Sequence, residues 1–546
     1  MIFGDKIKKY TVVFLFLGMI SLTLSFKSNF FEVAKQIEIY TTLFKELNIY
    51  YIDEINPAEL TSKVIKNTLK DLDPYTNYFD EQEVEKETIR REGAYAGIGI
   101  SVFYDPKGIL IKEVYKGFEA DQKKLKAGDI ITKVGDQSLL NMDKAQMSEM
   151  LKGAINQPID IEILRNGTTI KRTVVPEKVV LNPVPFYDLI DQETGYIVLT
   201  KFNLKASSEV KKAFKELKSR GMKNLIFDLR SNPGGSLGEA INIANFFLPK
   251  GSTIAMTKAK VKKWSSVYKA LNTPLDTEIP LTVLINGNSA SASEIVAGAL
   301  QDFDRAVIVG ERSFGKGLVQ KYRPLTYGTQ LKLTISKYYT PSGRCIQELD
   351  YSSRDEQGNV PKFSDGMVNS FKTKNGRTVY DGGGILPDVI VGYPERNTTT
   401  NKLIQSRVIF NYVTDYVDQH PTINSATDYS FSKIEFTDFL EYITRSDTVF
   451  KTSQQDLYLQ AFNATKGQNI FTKEHQYIMK KLNQQKISNL SEDQEYLSDL
   501  IQGEILKRFY YLEGTYQNNL KNDKVILKAF EILKKNRQYN RILKKS

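Results

Sequence analysis

The sequence has little of the two residue types that supply the commonest disulfide, zinc and triad chemistry. Its 546 residues include one cysteine, Cys345, and two histidines, His420 and His475. A single cysteine excludes an intrachain disulfide framework and a cysteine zinc cluster. Because both histidines lie late in the chain, a Ser–His pair would require the C-terminal part to fold back over everything before it. A serine nucleophile placed earlier needs a different base.

The chain also lacks the composition of a disordered or repetitive protein. Hydrophobic residues make up 41% and charged residues 25%, close to globular averages. The length is too great for one core and predicts about three or four domains. The net charge of +11 is concentrated in 501–546, where eleven Lys and Arg outnumber four Asp and Glu. Such a tail is typical of a solvated helix face, or of a surface for anionic lipid or an acidic partner.

The N-terminus has an apolar run that is short for a membrane span. Residues 11–26 carry no charge and follow Lys6, Lys8 and Lys9, but the run is shorter than the ~20 residues of a full span. No A-x-A cleavage site follows it. The pattern predicts that 1–27 is a signal peptide or an uncleaved anchor in the inner membrane. We expect an exported protein of the periplasm or cell envelope, a location that argues against nucleic acid as a partner.

The remaining chain divides into four regions by hydrophobic pattern. Apolar residues at helical spacing predict a helical region over 28–90, and short β-rich runs predict a separate module over 91–180. Over 181–397, apolar strands alternate with helices, which predicts an α/β sheet covered by helices on its faces. Residues 398–546 are predicted to be helical, with one amphipathic stripe formed by Val525, Ile526, Ala529, Phe530, Ile532 and Leu533. The expected fold class is therefore α/β, multidomain, with helical N- and C-terminal regions.

One segment of the α/β region places a serine where a nucleophile could act. The apolar strand LTVLI is followed by NGNSASASEIVAGALQD, in which Ser291 opens a helix. Backbone N–H groups at a helix N-terminus, together with the helix dipole, favour an oxyanion. The same Ser291-x-x-Glu294 spacing is also a capping box. Taken alone, the segment favours the cap.

A second segment, VGERSFGKGLVQ, holds Lys316 between Gly315 and Gly317. A lysine between glycines is usually a solvated turn charge. The segment is Gly-rich like a phosphate-binding loop, but glycine rather than Ser or Thr follows the lysine, which argues against nucleotide binding.

A third segment, DLRSNPGGS, ends a buried strand in a glycine pair, Gly234 and Gly235. It is typical of an ordinary tight turn. Paired glycines can also expose backbone N–H groups to a developing oxyanion, with Asp228 and Arg230 holding the loop.

Together the three segments resemble the carboxyl-terminal processing peptidases, or tail-specific proteases, in order and spacing. The resemblance selects the middle serine of SASAS and implies a peptidase core with a crotonase/ClpP-like α/β sheet. It also implies roles for individual residues: Ser291 as nucleophile, Lys316 as general base, Gln320 as the residue that orients the lysine, and the N–H of Ala292 with that of Gly234 or Gly235 as oxyanion donors. Ser–Lys pairs are a known variant of triad chemistry.

The resemblance further implies that the β-rich module is a PDZ domain, which binds a peptide C-terminus by strand addition. Its carboxylate-binding loop would be Gly97, Ile98, Gly99 and Ile100. The sequence departs from the family pattern at Cys345, where a serine is common, and by roughly three dozen residues inserted between YYTPSGRCIQ and GGILPDVIV. The insertion bears on the rim of the substrate groove.

These observations predict an exported serine endopeptidase that recognises C-terminal ends and works through an acyl-enzyme, without metal or cofactor. Its partners are protein or peptide C-termini and, through the N-terminal segment, the membrane, while the helical regions leave an adaptor or self-association open. The alternative is a non-catalytic PDZ scaffold. A third hypothesis, an envelope-anchoring protein, rests on the basic helical tail.

Overall fold

The computed structural model describes residues 30–81, 83–84, 87–88, 93–152, 155–355, 357–363, 368–445, 450–464 and 472–544. The chain divides into two compact units. One consists of Met1–Glu81 and Tyr322–Leu333, and the other of Gln82–Lys321 and Thr334–Ser546. The predicted export segment, 1–27, lies outside the described residues. Within the described ranges, no helix combines the length and the apolar character needed to cross a membrane.

The N-terminal part of the first unit contains two helices, as the helical spacing predicts, and a short strand, which that spacing does not predict. Helix α1 covers 30–50, α2 covers Pro57–Lys70 and β1 covers Asn77–Phe79. The α2 helix begins at a proline because Asn56, just before it, caps the helix by accepting the N–H groups of Ala58 and Glu59. Strand β1 pairs antiparallel with residues 330–332.

The β-rich module of the second unit contains a small antiparallel sheet and two short helices. Its elements follow in chain order: β2 Ala94–Gly97, β3 Ile100–Asp105, β4 Gly108–Val114, α3 Glu119–Gln122, β5 Ile130–Val134, β6 Gln137–Ser138, α4 Lys144–Lys152, β7 Ile159–Arg165, β8 Thr168–Val174 and β9 Glu177–Val180. The strand order is β3-β4-β5-β7-β8, with β6 beside β5 and β2 paired with β9. Strand β3 is therefore an edge strand. Buried isoleucines such as Ile109, Ile131 and Ile163 form the core.

The α/β region is built on a six-stranded sheet of order β10-β11-β12-β15-β16-β21. The elements are β10 Phe186–Leu189, β11 Thr194–Val198, α5 Ala206–Ser219, β12 Asn224–Asp228, α6 Leu237–Asn245, β13 Thr253–Ala259, β14 Ser266–Lys269, β15 Leu281–Ile285, α7 Ala292–Asp302, β16 Val307–Gly310, β17 Leu318–Pro324, β18 Gln330–Tyr339, β19 Ser370–Lys372, β20 Thr378–Tyr380 and β21 Val389–Ile390. The pairs from β11 to β21 are parallel, and β10 is antiparallel. The predicted α/β class is confirmed.

A second set of strands lies beside this sheet. Strand β13 pairs antiparallel with β14 and with residues 336–339 of β18. The inserted residues contain the antiparallel hairpin of β19 and β20.

The C-terminal region is helical, as predicted. Its helices are α8 Thr398–Gln405, α9 Val408–Gln419, α10 Lys433–Arg445, α11 Ser453–Ala464, α12 Thr472–Glu492, α13 Gln494–Asn522, α14 Lys524–Lys534 and α15 Asn536–Ile542. Helices α8, α9, α10, α12 and α13 share a core rich in tyrosine and phenylalanine, which includes Phe439 and Tyr412. Tyr511 interrupts α13 with φ 57° and ψ −168°, which kinks the helix.

The last two helices pack on the α/β sheet rather than with the other C-terminal helices. Helices α5, α6 and α7 cover one face of the sheet. The opposite face, including Tyr196, Ile226 and Leu284, is covered by Ile526 and Ile532 of α14 and by residues of α15. The amphipathic stripe predicted in this tail is therefore the second helical layer of the sheet. The domain boundaries drawn from sequence remain predictions.

Candidate active site

Ser291 lies where β15 turns into α7, in a strained backbone conformation. Strand β15 is fully buried, and Ser291 is the residue immediately before α7. Its φ is 56° and its ψ −110°, a conformation that costs a non-glycine residue about 1–3 kcal/mol. Backbone strain of this kind is found most often at active sites. The turn holds the Ser291 side chain at the partly exposed start of the helix.

The two neighbouring serines are buried and serve the backbone. The hydroxyl of Ser289 donates to the Leu229 carbonyl at 2.8 Å, and that of Ser293 donates to the Asn232 carbonyl at 2.9 Å. Both side chains are inaccessible to solvent. Of the three serines in SASAS, the middle one alone is partly exposed.

Glu294 joins the serine turn to the lysine loop through its carboxylate. One oxygen, Oε2, accepts the N–H of Ser291 at 2.7 Å and the N–H of Lys316 at 3.0 Å. The other, Oε1, accepts the hydroxyl of Ser313 at 2.6 Å and the N–H of Gly315 at 2.7 Å. The predicted capping box is present. The same glutamate therefore also fixes the backbone of Lys316 next to that of Ser291.

The Glu294 carboxyl is fully buried in α7. Burial raises its pKa from 4.5 to about 7, while the four hydrogen bonds it accepts act in the opposite direction. Tyr338, which is also buried, places its hydroxyl 3.4 Å from the Ser291 carbonyl oxygen. A titrating group therefore lies directly behind the serine turn.

Lys316 is half-buried, in a loop packed closely against the chain that follows β18. The Gly317 N–H donates to Gln347 Oε1 at 2.7 Å, and its carbonyl accepts the Tyr338 N–H at 2.9 Å. A side chain at Gly317 would come within 2.8 Å of the Gln347 nitrogen, and one at Gly315 within 2.6 Å of Glu348 Cβ. The flanking glycines are therefore needed for close packing, which a simple solvated turn would not require.

Gln320 lies in β17, four residues after the lysine. Its amide nitrogen donates to the Thr334 hydroxyl at 3.2 Å, across to β18. This contact ties the glutamine side chain to β18.

The glycine pair has two different environments. Gly234, at φ 95°, lies so near the serine turn that a Cβ would be 2.9 Å from both Ser291 Cβ and the Ala292 nitrogen. Its N–H donates to Asn232 Oδ1 at 2.9 Å. A Cβ at Gly235 would instead meet the Phe202 carbonyl. Gly234 is thus the member of the pair in contact with the serine turn. Ala292 is the first residue of α7, where an N–H has no partner within the helix.

Asp228 and Arg230 hold this loop, as the sequence suggests. Asp228 accepts the Tyr196 hydroxyl at 2.7 Å and the guanidinium of Arg230 at 2.7 Å. Arg230 also donates to Asp523, the residue that caps α14, at 2.7 Å. The loop beside the serine is therefore tied to the C-terminal helices, a contact that nothing in the local sequence predicts.

Known protein families match the same three regions of the chain. Residues 193–352 match the model of peptidase family S41, 86–164 match the PDZ domain, and 399–533 match the C-terminal helical domain of a probable PDZ-protease. The carboxy-terminal-processing protease of Bartonella bacilliformis is 32% identical over 344 residues, which cover 62% of this chain and 79% of that protein. This chain belongs to the carboxy-terminal-processing protease family.

Two further proteins of this kind are similar to the chain. The chloroplastic C-terminal processing peptidase of Tetradesmus obliquus is 28% identical over 298 residues, covering 51% of this chain and 64% of that protein. The solved structure of a photosystem II D1 C-terminal processing protease matches with 24% identity and a TM-score of 0.37, covering 65% of this chain and 92% of that one. The sequence-based prediction of a PDZ-containing serine-type peptidase is confirmed.

In this processing protease, the predicted carboxylate loop lies at the start of the PDZ edge strand. Gly97 ends β2, Ile98 is buried, and Ile100 begins β3. Gly99 has φ 81°, and a Cβ there would be 2.2 Å from Phe118 Cβ. The loop can therefore pass this ring only because it contains glycine.

The two histidines lie in the helical region of the protease, among aromatic rings. His420 stacks on Tyr416 and His475 on Phe462, each with ring centroids 4.0 Å apart. Within the described ranges, no cluster of three or more His, Cys, Asp and Glu could hold a metal ion. The expectation of a metal- and cofactor-free enzyme stays a prediction.

Proposed function

We propose that Ser291 is the nucleophile and Lys316 the general base of this peptidase. The observation that carries the proposal is the Glu294 carboxylate, which binds the backbone N–H of both residues. Catalytic groups on separate loops are useful only when their geometry is fixed, and a buried carboxylate with four donors fixes it. Neutral lysine takes the hydroxyl proton as the serine attacks the scissile carbonyl, and returns that proton to the leaving amine. Water then releases the acyl-enzyme.

The Ala292 N–H and the backbone of Gly234 supply the oxyanion hole in this proposal. Ala292 begins α7, where the helix dipole favours negative charge. Gly234 lies against Ser291 and Ala292, so its N–H can serve the developing oxyanion if it exchanges Asn232 for the substrate oxygen. Gln320, held by Thr334, would orient the lysine.

The PDZ domain is proposed to read the last residues of the substrate. Strand β3 is an edge strand, available for pairing with an extended peptide. Ile100 and Val102 of β3 and Met150 and Leu151 of α4 are half-buried in one apolar cluster. These half-buried apolar side chains suit a substrate tail whose last residues are apolar and whose carboxylate is free.

A single pair of peptides tests the tail-reading proposal. We expect a peptide with a free carboxylate and an apolar tail to bind several-fold more tightly than its C-terminal amide, because the amide removes the charge that the loop N–H groups bind. Fluorescence anisotropy on the full chain measures both affinities. Equal affinities would contradict tail reading and leave the serine chemistry untouched.

A serine-reactive fluorophosphonate distinguishes the enzyme from a non-catalytic scaffold. We expect the probe to modify Ser291, identified by mass spectrometry of the digested protein. The Ser291→Ala variant is the matched control and should take up no label. A wild-type chain that binds tail peptides but takes up no label would support the scaffold.

Export is proposed from the sequence alone, on the basis of residues 11–26 and the lysines before them. A fusion of residues 1–60 to alkaline phosphatase, which is active only outside the cytoplasm, tests it. We expect activity from this fusion. Replacing Phe14 and Leu15 by aspartates should abolish the activity, and an inactive unmodified fusion would contradict export.

A further inference from the structure

The exposed edge of β3 has a regular set of backbone groups. Ile111 of β4 donates its N–H to the Asp129 carbonyl at 2.8 Å and accepts from Gly128 at 2.9 Å, so its backbone faces away from β3. Val102, its partner in the register, therefore belongs to a non-hydrogen-bonded pair and points its own N–H and C=O to the exposed edge. Alternation along the strand places Ile100 and Tyr104 at the same edge. An added peptide would pair with these three residues in turn.

The far end of this edge is occupied by a residue of the helical region. Arg407 donates to the Tyr104 carbonyl at 3.1 Å and to the Asp105 carboxylate at 2.9 Å. Its guanidinium carbon lies 4.8 Å from the centroid of the Phe103 ring. Two hydrogen bonds and a ring contact thus fix the guanidinium on the end of the edge strand.

Arg407 is itself held firmly, because it immediately precedes α9. The next residue, Val408, is fully buried in the core of the helical region. Phe410, one turn further on, contacts Phe103 edge-to-face with centroids 5.4 Å apart, and the guanidinium carbon of Arg508 lies 4.6 Å from the centroid of the Phe410 ring. Moving Arg407 off β3 would disturb this packed group.

The near end of the edge is held more weakly. The Ile100 carbonyl accepts the hydroxyl of Tyr95 at 3.1 Å, within the PDZ domain itself. A neutral hydroxyl makes a weaker hydrogen bond than a guanidinium, whose charge roughly doubles the strength. A peptide whose carboxylate is bound by the adjoining loop can displace Tyr95 more easily than Arg407.

We propose that Arg407 sets the length of tail that the PDZ domain reads, by ending strand addition at Val102. This inference rests on the proposed tail reading. In antiparallel pairing, the last residue of the peptide meets Ile100, the third residue from the end meets Val102, and the fifth would meet Tyr104. With its carbonyl held by Arg407, Tyr104 accepts no peptide N–H. Backbone pairing with β3 then ends at the third residue from the end of the substrate.

Backbone N-methylation tests the proposal one residue at a time. The probe is a fluorescein-labelled octapeptide with a free carboxylate and apolar last four residues, and its binding to the full chain is followed by anisotropy. Methylating the nitrogen of the third residue from the end removes the pairing with Val102. In wild type we expect this change to weaken binding by about two- to tenfold, the worth of one hydrogen bond. Methylating the fifth residue should change the affinity less than twofold.

The Arg407→Met variant supplies the second arm, because methionine keeps an apolar contact with Phe103 but has no donor. In this variant the fifth residue can pair with Tyr104, so its methylation should weaken binding about two- to tenfold. Arg445→Met, which removes an exposed arginine paired within its own helix, is the control and should behave like wild type. Thermal melting confirms folding of both variants.

Several results would overturn the proposal. Equal sensitivity to the third and fifth methylations in wild type would show that pairing extends past Arg407, and this comparison needs no variant. Insensitivity of Arg407→Met to the fifth methylation would show that another group ends the pairing. If methylation at the third residue and amidation of the carboxylate both have no effect, tail reading itself fails, and the role of Arg407 fails with it.

Discussion

The backbone N–H groups of Ser291 and Lys316 donate to the same carboxylate oxygen of Glu294. The two nitrogens therefore lie within the combined length of two hydrogen bonds, although the residues belong to different loops. In an ordinary capping box, such a glutamate would bind only the turn that begins its own helix. Here Glu294 positions the backbone of both proposed catalytic residues.

Replacing the serines of SASAS one at a time should separate catalysis from packing. We expect Ser291→Ala to abolish peptide cleavage while remaining folded, with a loss of about 1 kcal/mol if the cap is weakened. Ser289→Ala and Ser293→Ala each lose a buried hydrogen bond and about 1 kcal/mol of stability, but should keep most of their activity. Cleavage assays and thermal melts on the three variants measure both effects. A folded Ser291→Ala protein that still cleaves would leave only the capping role.

The shifted carboxyl of Glu294 predicts a pH-dependent stability. Because its pKa is raised to about 7 by burial, the folded chain keeps a proton that the unfolded chain releases near 4.5. The stabilisation is complete below about pH 4.5 and is lost as the pH rises through about 7. Relative to Glu294→Gln, which cannot titrate, wild type should lose stability over this range. Urea unfolding of both proteins from pH 5 to 8 measures the difference, and parallel curves would contradict the assignment.

Glu294→Gln should also reduce kcat/KM by about tenfold or more, because an amide nitrogen that replaces either oxygen cannot accept an N–H group. In one orientation the N–H groups of Ser291 and Lys316 lose their acceptor, and in the other the N–H of Gly315 does. The exposed Glu216→Gln is a suitable control. If both variants cleave like wild type, Glu294 does not position the catalytic loops.

Gly234→Ala should inactivate the enzyme, because its Cβ would lie 2.7 Å from the Ala290 carbonyl and 2.9 Å from Ser291 Cβ. Gly251→Ala is a matched control, since Gly251 has nearly the same φ, 92° against 95°, and no atom near its missing Cβ. Both variants carry the backbone strain of a positive φ, but only the first disturbs the serine turn. Equal activity of the two variants would show that the region around Gly234 tolerates the added methyl group.

The serine and lysine segments could be singled out from the sequence because each is a contiguous motif, and the catalytic roles of Ser291 and Lys316 stay predictions. The contact between the two segments joins residues that are far apart in the sequence. Ser313 and Gly315 bind Glu294 from another loop, and no local sequence pattern predicts that contact. Which of Gly234 and Gly235 is the oxyanion donor likewise depends on which glycine faces Ser291. That is set by the path of the backbone, which the sequence does not show. The amphipathic stripe that contains Ile526 and Ile532 predicted a helix with one buried face. It did not predict that this face packs against the α/β sheet.

Ending the chain at Asn522 should unfold the peptidase domain. Removing α14 and α15 exposes the sheet face formed by Tyr196, Ile226 and Leu284, and leaves Arg230 without Asp523. We expect loss of the cooperative thermal transition. The anchoring hypothesis for the basic tail instead predicts a folded, active protein. The control is Lys528→Ala with Lys535→Ala, which removes two tail charges and their surface ion pairs with Glu531 but leaves the buried helix face intact, and it should remain folded and active.

The central claim is that Lys316 is the base for Ser291, and Lys316→Arg tests it most directly. Arginine keeps the charge and much of the length of lysine but does not lose its proton in proteins, so it cannot accept the serine proton. The measurement is kcat/KM for a cleaved tail peptide between pH 6 and 10, with circular dichroism as the check on folding and Lys321→Arg as the control. We predict that wild type and Lys321→Arg gain activity as the pH rises and Lys316 becomes neutral, whereas folded Lys316→Arg is inactive at every pH. A folded Lys316→Arg enzyme that cleaves at a rate near wild type would show that Lys316 is not the base.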